Sequence, residues 1–523
     1  MPWLDREAAV GVIDCGRFDY PRRTPFHPPD TYPEYAFRSS GTDSDNFVYA
    51  AVRDLLYELG LDRPRFGTAH WNPLGEIVRP GDNVVIKPNL VISEHEMGER
   101  GLLAAVAHGS VIRPLIDYAL LANQRRGWIT ICDSPIKEVD FEKITEFNGL
   151  AGICRFFRDQ TDADVRLLDI RDLQVTRNAR GVMIAKRELL GDPLGYTVVD
   201  LGQNSLLAEV AEHNRRFRST AAVYENRMSE THTDAVNLYS MPNSILQADC
   251  LISVAKLKNH RKCGVTLSLK NMIGTTNEKR WLPHHRVGTP SQGGDICPDG
   301  APPTRKLHEA LKDNLISHSY GLFGFKYLVP VMQFLYRWGV RWWAKRLFAA
   351  RQQADFGEGD WWGNDTIWRT TLDLNMIIRY TDKQGRLQDT PQRAYLSVID
   401  GILGGHREGP LHPTAKECGL LIGGTDPIAV DVVCSHIMGF DPERIRLLGE
   451  SYRARFALGT ADPDMIEVSS NEERWTRWRE PDFHHLAFEP SGGWRGYVER
   501  SPGRPVGRQQ ADVKPRQPAP AGL

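Results

Sequence analysis

The chain has 523 residues, of which 41% are hydrophobic and 25% are charged, and this length and composition are typical of a globular protein with two or three domains. Its 65 basic and 66 acidic residues give a net charge of −1, which provides no overall attraction to nucleic acid or to an acidic membrane. We therefore expect no nucleic-acid partner, and any recognition of anions must be local.

The eight cysteines are scattered along the chain and form no C-x-x-C motif. This spacing excludes the usual motifs of a ferredoxin-type cluster or a zinc knuckle. The N-terminal segment "MPWLDREAAVGVIDCG" lacks the basic and apolar regions of a signal peptide. We expect a cytoplasmic protein without a cysteine-ligated iron–sulfur cluster, and its cofactor stays unidentified.

The first elements predict a parallel α/β sheet. After an N-terminal extension and first helix (residues 1–80), "NVVIKPNLV" and "WITICDSP" read as buried strands. Between them, "HGSVIRPLIDYALLANQRRG" has helical spacing, with Ser110 as its N-cap. Strand, helix and strand in this order indicate parallel strands with a right-handed crossover. Because ligands bind at the carboxyl ends of such strands, Lys87, Asn89 and Asp133 are candidate site residues.

The segment "DCLISVAKLKNHRKCGVTLSLKNMIG" begins as a buried strand and ends as a basic stretch containing glycines. Its lysines suit a carboxylate or phosphate, and its glycines let the backbone approach a ligand. His260 is the group that can transfer a proton near neutral pH. The alternative is a solvated basic loop, but Lys270 stands among apolar residues, where an unpaired ammonium group is costly. The candidate anion-binding residues here are Lys256, Lys258, Lys270, Asn271 and Gly274.

Adjacent histidines follow in "RWLPHHRVG", and we take His285 as the candidate site residue. Neighbouring side chains of a strand point to opposite sides, so at most one of the pair shares a site with His260. A divalent metal held by His260, one of these histidines and a carboxylate is an open alternative. No spacing here matches a metal-binding motif, so the metal ligands stay unassigned.

The second half of the chain repeats the α/β pattern. "VIDGILGGHREGP" predicts a strand that ends at Asp400 and a glycine-rich loop, which makes Asp400 and Glu408 candidates for acid–base or metal chemistry. "CGLLIGGTDPIAVDVV" predicts a strand, a glycine turn and a helix capped by Thr425. The free N–H groups near Gly424 could bind an anion, or the turn serves packing alone. The catalytic candidates are His260, Lys270, Asp133, Asp400 and Glu408.

Together these patterns predict an α/β protein of two lobes with mainly parallel sheets and an inter-lobe cleft. The first lobe spans residues 81–310 and the second 391–500, and a helical, Trp-rich, aromatic-basic insert spans 311–390. The uncharged part of that insert is too short to cross a bilayer. Tyr320–Ala350 either packs on the protein or makes a peripheral contact with a membrane or another protein. The Pro/Gln/Arg-rich tail, 501–523, is expected to be disordered.

Several of these segments in this order resemble the domain-of-unknown-function 362 family: "VVIKPNLV", "ITICDSP", "VAKLKNHRKCGVTLSLKNMIG", "DGILGGHREGP" and "GGTDPIAVDVV". The resemblance covers roughly Gly81 to Gly439 and implies a bacterial protein of a family for which no general activity is established. Some members carry ferredoxin-type iron–sulfur modules, which the cysteines of this chain do not provide.

A more distant similarity is to the lactate racemase family, which uses a nickel-pincer nucleotide attached to a lysine. His260 precedes Lys270 in a glycine-containing segment, as in that family, but "LSL" stands where the racemase has glycines. The nickel cofactor is therefore not carried over, while the shared layout implies two lobes with the site between them.

Three functional hypotheses follow from these patterns. The leading hypothesis is an enzyme that binds an anionic small molecule in the cleft and uses histidine and carboxylate groups, or a metal, for catalysis. The second is a non-enzymatic accessory protein that docks on a membrane surface or a complex. The third is a metal or redox protein.

Overall fold

The computed structural model describes residues 8–500, except 38–39, 178–182, 220–227, 304, 308, 311–312 and 314–356. The predicted docking segment Tyr320–Ala350 and the tail 501–523 lie outside the described residues, so their predictions stand as made.

The described strands, in chain order, are β1 (Ala8–Asp14), β2 (Val84–Pro88), β3 (Ile129–Asp133), β4 (Val165–Asp169), β5 (Leu173–Arg177), β6 (Met183–Glu188), β7 (Tyr196–Asp200), β8 (Phe217–Arg218), β9 (Leu238–Pro242), β10 (Cys250–His260), β11 (Gly264–Val265), β12 (His285–Arg286), β13 (Ala394–Glu408), β14 (His412–Gly424) and β15 (Ile466–Ser470).

The described α-helices are α1 (Phe47–Glu58), α2 (Gly98–Ala105), α3 (Gly109–Ala122), α4 (Phe141–Phe147), α5 (Leu150–Gln160), α6 (Met228–Thr231), α7 (Asn243–Leu246), α8 (Leu267–Asn271), α9 (Ile367–Tyr380), α10 (Pro427–Met438), α11 (Arg446–Gly449) and α12 (Glu473–Thr476). Over the described ranges, no helix combines the length and the apolar character needed to cross a membrane.

A mostly parallel central sheet organises the fold. Its strand order is β15-β1-β14-β13-β10-β2-β3-β4, with β11 attached to β10. Strands β13, β10, β2, β3 and β4 run parallel to one another, and β14 is antiparallel to both β13 and β1. The predicted α/β class with a mainly parallel sheet is therefore confirmed.

The strands assigned to the two lobes lie side by side in this sheet. Cys250 of β10 is the register partner of Ala394 of β13 on one side and of Val84 of β2 on the other. The N-terminal extension also joins the sheet, because β1 pairs with β14 and β15. The expected two lobes with a cleft between them are thus not confirmed.

Two helical layers cover the sheet, one on each face. In β10, Leu251 and Ala255 belong to one apolar core, whereas Ile252 and Val254 belong to the other, as alternation along a strand requires. Helices α9 and α10 contribute to the first core, and α1, α3 and α5 to the second. Burial on both faces explains the near-continuous apolar sequences of the central strands.

The glycine-rich segment after Asp400 is a strand rather than a loop. β13 continues to Glu408, and Gly405 pairs with Ala415 of β14 in a long hairpin. A Cβ at Gly405 would lie 2.6 Å from the carbonyl oxygen of Ala104, so close packing accounts for this glycine. The predicted end of the strand at Asp400 was wrong because glycines and charges were interpreted as a turn.

Two helix caps also differ from the sequence prediction. α3 begins two residues earlier than predicted, and its N-cap is His108, whose Nδ1 accepts a hydrogen bond from the Ser110 N–H. α10 is capped by Asp426, and not by Thr425. The carboxylate of Asp426 accepts hydrogen bonds from the first free N–H groups of this helix, so they are already satisfied from within the chain.

Candidate functional site

A basic cavity opens at the carboxyl ends of β2, β3 and β10, with a volume of ≈ 130 Å³. Asp133 is the one carboxylate among the described lining residues. The excess of basic groups suits the cavity to a negatively charged ligand. Its basic lining residues are Lys87, Lys137, Lys270, Lys279, His260 and His284.

Lys87 and Asp133 form a buried ion pair at the base of the cavity. The Lys87 Nζ lies 2.8 Å from Asp133 Oδ1, and the two side chains are 1% and 4% exposed. Asp133 Oδ2 also accepts a hydrogen bond from the Leu90 N–H, at 2.8 Å. The pair joins the ends of β2 and β3 and gives the cavity a fixed cation whose charge is already balanced.

Amide side chains extend this ion pair into a network. Asn271 Oδ1 accepts hydrogen bonds from Lys87 Nζ at 3.1 Å and from Asn89 Nδ2 at 3.3 Å. Asn89 Oδ1 in turn accepts one from Lys258 Nζ at 2.8 Å, and Lys258 also donates to the carbonyl oxygen of Ala105. Lys258 therefore lies behind the cavity wall, and burial holds its pKa well below the ordinary value.

Lys270 differs from the other buried lysines. It lines the cavity and is 7% exposed, yet its ammonium group has no hydrogen bond or ion pair with any residue that the structure describes. Burial lowers the pKa of Lys270 to about 8. The sequence predicted that Lys270 needs a partner. The described residues do not provide one.

Two further lysines were absent from the sequence-based candidates. Lys137 forms an ion pair with Asp172, and burial lowers the pKa of Lys137. Lys279 is partly exposed and donates a hydrogen bond to the carbonyl oxygen of Ile273 at 3.0 Å. Burial, assisted by the nearby charge of Lys137, lowers the pKa of Lys279 to about 7.

His260 and His284 hold opposite neutral tautomers. His260 Nδ1 accepts a hydrogen bond from the Lys262 N–H at 3.1 Å, which assigns the ring proton to Nε2. His284 Nδ1 lies 2.7 Å from the carbonyl oxygen of Leu282, so Nδ1 donates and Nε2 keeps its lone pair. Burial, together with the nearby charge of Lys270, holds the pKa of both rings well below the ordinary value. One neutral ring can donate at Nε2 and the other can accept.

Helix α8 carries Lys270 and Asn271, and Asp431 anchors its first turn. The two carboxyl oxygens of Asp431 accept hydrogen bonds from the N–H groups of Ser268 at 2.8 Å and Leu269 at 2.9 Å. Leu267 adopts φ 40°, a conformation that L side chains rarely take. The Asp431 anchor therefore holds a strained turn in place beside the site.

The structure brings seven of the predicted site residues together in the cavity lining. All of them come from strand ends or from the segment after β10. They are Lys87, Asn89, Asp133, His260, Lys270, Asn271 and Gly274.

Asp400 and Lys256 lie elsewhere, in a fully buried ion pair. Their Nζ–Oδ2 distance is 3.0 Å, and both side chains are 0% exposed. Asp400 also accepts hydrogen bonds from the Tyr20 hydroxyl at 2.5 Å and the His108 N–H at 3.0 Å. Neither residue lines the cavity, and their contacts fit a structural role.

Glu408, His285 and Gly424 are also outside the cavity lining. Glu408 lies near the end of β13 and accepts a hydrogen bond from the Gly492 N–H. His285 belongs to β12, so it is the preceding His284 that reaches the cavity. Gly424 lies in β14 between β1 and β13, where a Cβ would meet the carbonyl oxygen of Ala9 at 2.6 Å.

The alternative of a divalent metal held by His260, one of the adjacent histidines and a carboxylate is not supported by the described residues. Among the described residues, no group of three or more His, Cys, Asp or Glu side chains is arranged to hold a metal ion. Asp133, the one carboxylate in the described lining, already forms an ion pair with Lys87.

Comparison with known proteins identifies one segment of the chain. The family model described as "Domain of unknown function (DUF362)" matches residues 206–436. No curated protein and no solved structure gives a significant match. The matched segment contains His260, Lys270, Lys279 and His284, whereas Lys87 and Asp133 precede it. Residues 206–436 of this chain are therefore identified by their match to the DUF362 domain.

Proposed function

We propose that this protein is an enzyme that binds an anionic small molecule, a carboxylate or a phosphate, in the basic cavity and transfers a proton there. The observation that carries the proposal is Lys270, a buried cation without a partner among the described residues. A buried ammonium group is costly unless it is paired, so a bound anion would complete the site. In this proposal the cavity takes the place of the cleft expected between two lobes.

The lysines have different roles in this proposal. Lys270 and Lys279 bind the anion directly, because neither has a carboxylate partner among the described residues. Lys87 contributes a fixed positive charge but is held by Asp133 and Asn271. This division lets the site keep its shape without a ligand while leaving two cations for recognition.

The histidines supply the proton transfer. The unprotonated Nε2 of His284 acts as the base, and the Nε2–H of His260 donates a hydrogen bond to oxygen that becomes negatively charged. Both rings stay neutral near pH 7, because burial holds the pKa of each well below its ordinary value. A base and a hydrogen-bond donor are the pair of groups that enzymes use for proton transfer next to a carbonyl, and the two tautomers supply one of each.

The test uses the small molecules of the host cell. Purified protein is incubated with a small-molecule extract, and mass spectrometry follows which carboxylated or phosphorylated compounds bind or change. We expect Lys270→Met to abolish binding, and His260→Gln and His284→Gln to retain binding but lose turnover. Lys143→Met, at an exposed lysine paired with Glu94, is the matched control. The proposal is wrong if no anion binds, or if the Lys270 and histidine variants behave as the control does.

A further inference from the structure

The charges around the cavity do not balance. Lys87 is paired with Asp133 and Lys137 with Asp172. Lys279 donates to a neutral carbonyl oxygen, and Lys270 has no partner among the described residues. Two lining lysines are therefore left without a counter-charge from the described chain.

A hydroxyl group in the lining of the same cavity also lacks a hydrogen-bond partner among the described residues. Ser134 lines the cavity directly after the end of β3 and is 2% exposed. Its Oγ is buried without a hydrogen-bond partner among the described residues. A buried hydroxyl without a partner is uncommon and calls for an explanation, and a ligand oxygen would provide one.

We propose that the ligand carries a compact doubly negative group, and that this group is a phosphoryl group. This inference rests on the proposed function and specifies its substrate class. Two uncompensated cations match a dianion, and a tetrahedral phosphoryl group has enough oxygens to accept from both lysines and from Ser134. The described lining provides its cations as lysines, which bind phosphate as point charges, so no planar, bidentate geometry is imposed on the anion.

Binding of a dianion should draw protons into the site. In the free protein, Lys270 with a pKa of about 8 and Lys279 with a pKa of about 7 are partly deprotonated near pH 8. A bound dianion favours the charged amines and raises both pKa values. The titratable groups that surround the two lysines are Lys87, Asp133, Lys137, His260, Lys262, Cys263 and His284.

The experiment is titration calorimetry with sulfate, a dianion whose charge does not change near neutral pH. Acetate serves as the monoanion, succinate as the dicarboxylate and inorganic phosphate as the second tetrahedral anion. Buffers of different ionisation enthalpy report the protons taken up. We expect sulfate and phosphate to bind at least about tenfold more tightly than acetate and succinate, with roughly one proton taken up at about pH 8.

The lysine variants connect this result to the cavity. Lys270→Met and Lys279→Met should each weaken sulfate binding about tenfold or more and reduce the proton uptake, and Lys143→Met should change neither. Circular dichroism confirms that each variant is folded.

Three results would overturn the inference in distinguishable ways. Equal affinity for acetate and sulfate would show that the site does not prefer a dianion, although it still binds anions. If succinate binds more tightly than phosphate and sulfate, the ligand is a dicarboxylate and not a phosphoryl compound. If no probe binds, both this inference and the proposed function fall.

Discussion

Gly274 lies directly against Asp133: a Cβ built on this glycine would be 2.4 Å from Asp133 Oδ1. The same Cβ would be 2.7 Å from Lys87 Nζ, so any side chain here displaces the ion pair at the base of the cavity. We expect Gly274→Ala to lower the free energy of unfolding by about 1–3 kcal/mol and to weaken anion binding. Urea denaturation and calorimetry with sulfate measure the two effects.

The control for this prediction is Gly300→Ala. Gly300 is exposed, and a Cβ there would meet nothing within 4 Å, so both quantities should stay unchanged. Normal anion binding by Gly274→Ala would show that the Lys87–Asp133 pair does not shape the cavity.

Removal of one member of that pair should be costly. Asp133→Asn leaves the Lys87 ammonium group buried without its carboxylate, and we expect the free energy of unfolding to fall by about 3–5 kcal/mol. Chemical denaturation of the purified variant tests this value. Glu94→Gln, which removes the exposed partner of Lys143, should change stability little. If Asp133→Asn lowered the free energy of unfolding no more than this control does, the prediction would be contradicted.

Part of the site could be predicted because local sequence determines it. Lys87, Asn89 and Asp133 stand where short apolar runs end, and the ends of parallel strands meet at one edge of a sheet. His260 and Lys270 follow from the same rule applied to β10. To predict such residues, one needs only to recognise the strands and to infer that they are parallel.

The other residues of the site could not be predicted, because their positions depend on pairing between strands that are far apart in the sequence. Asp400 appeared to end a strand, but β13 continues to Glu408 because it pairs with β14, and Asp400 is buried against Lys256. His284 was passed over for His285, since the direction of each side chain depends on the short pairing of β12 with β8. Lys137 follows the end of β3 by four residues, a position close enough to have suggested it. Lys279 had no comparable indication.

Lys270 should lower the stability of the free protein. Its pKa in the folded state, about 8, is below the ordinary value of 10.5, so folding disfavours the charged amine. Below about pH 8 both states are protonated and the full cost, roughly 3 kcal/mol, applies. As the pH rises from about 8 to about 10.5, the unfolded state binds more protons than the folded state, and the cost disappears.

Lys270→Met should therefore be more stable than the parent at pH 7 and close to it near pH 10, while losing anion-induced stabilisation. Thermal and urea unfolding at the two pH values, with and without sulfate, measure these differences. Lys143→Met is the exposed control. A variant that is less stable than the parent at pH 7 would show that Lys270 has a stabilising partner in the free protein.

Asp431 should change the stability of the protein with pH in the opposite direction to Lys270. Burial raises its pKa from 3.8 to about 8, so between these values the folded state holds a proton that the unfolded state has released. Stability should then fall as the pH rises from about 4 to about 8, by up to about 1.4 kcal/mol per pH unit from this group. Asp431→Asn cannot titrate and removes this slope, although it leaves one of the N–H groups of Ser268 and Leu269 without an acceptor, at a cost of about 1–3 kcal/mol.

Unfolding free energies of parent and Asp431→Asn between pH 5 and pH 8 test this account. The free energy of unfolding of the parent should exceed that of Asp431→Asn by the largest amount at pH 5. This difference should shrink or change sign by pH 8. Asp159→Asn, at an exposed carboxyl paired with Arg158, should follow the parent throughout. Equal pH slopes for parent and Asp431→Asn would show that Asp431 is ionised in the folded protein, and that a carboxylate anchors the turn before Lys270. In either ionisation state the loss of this anchor should weaken sulfate binding, because the strained turn at Leu267 positions Lys270 in the cavity.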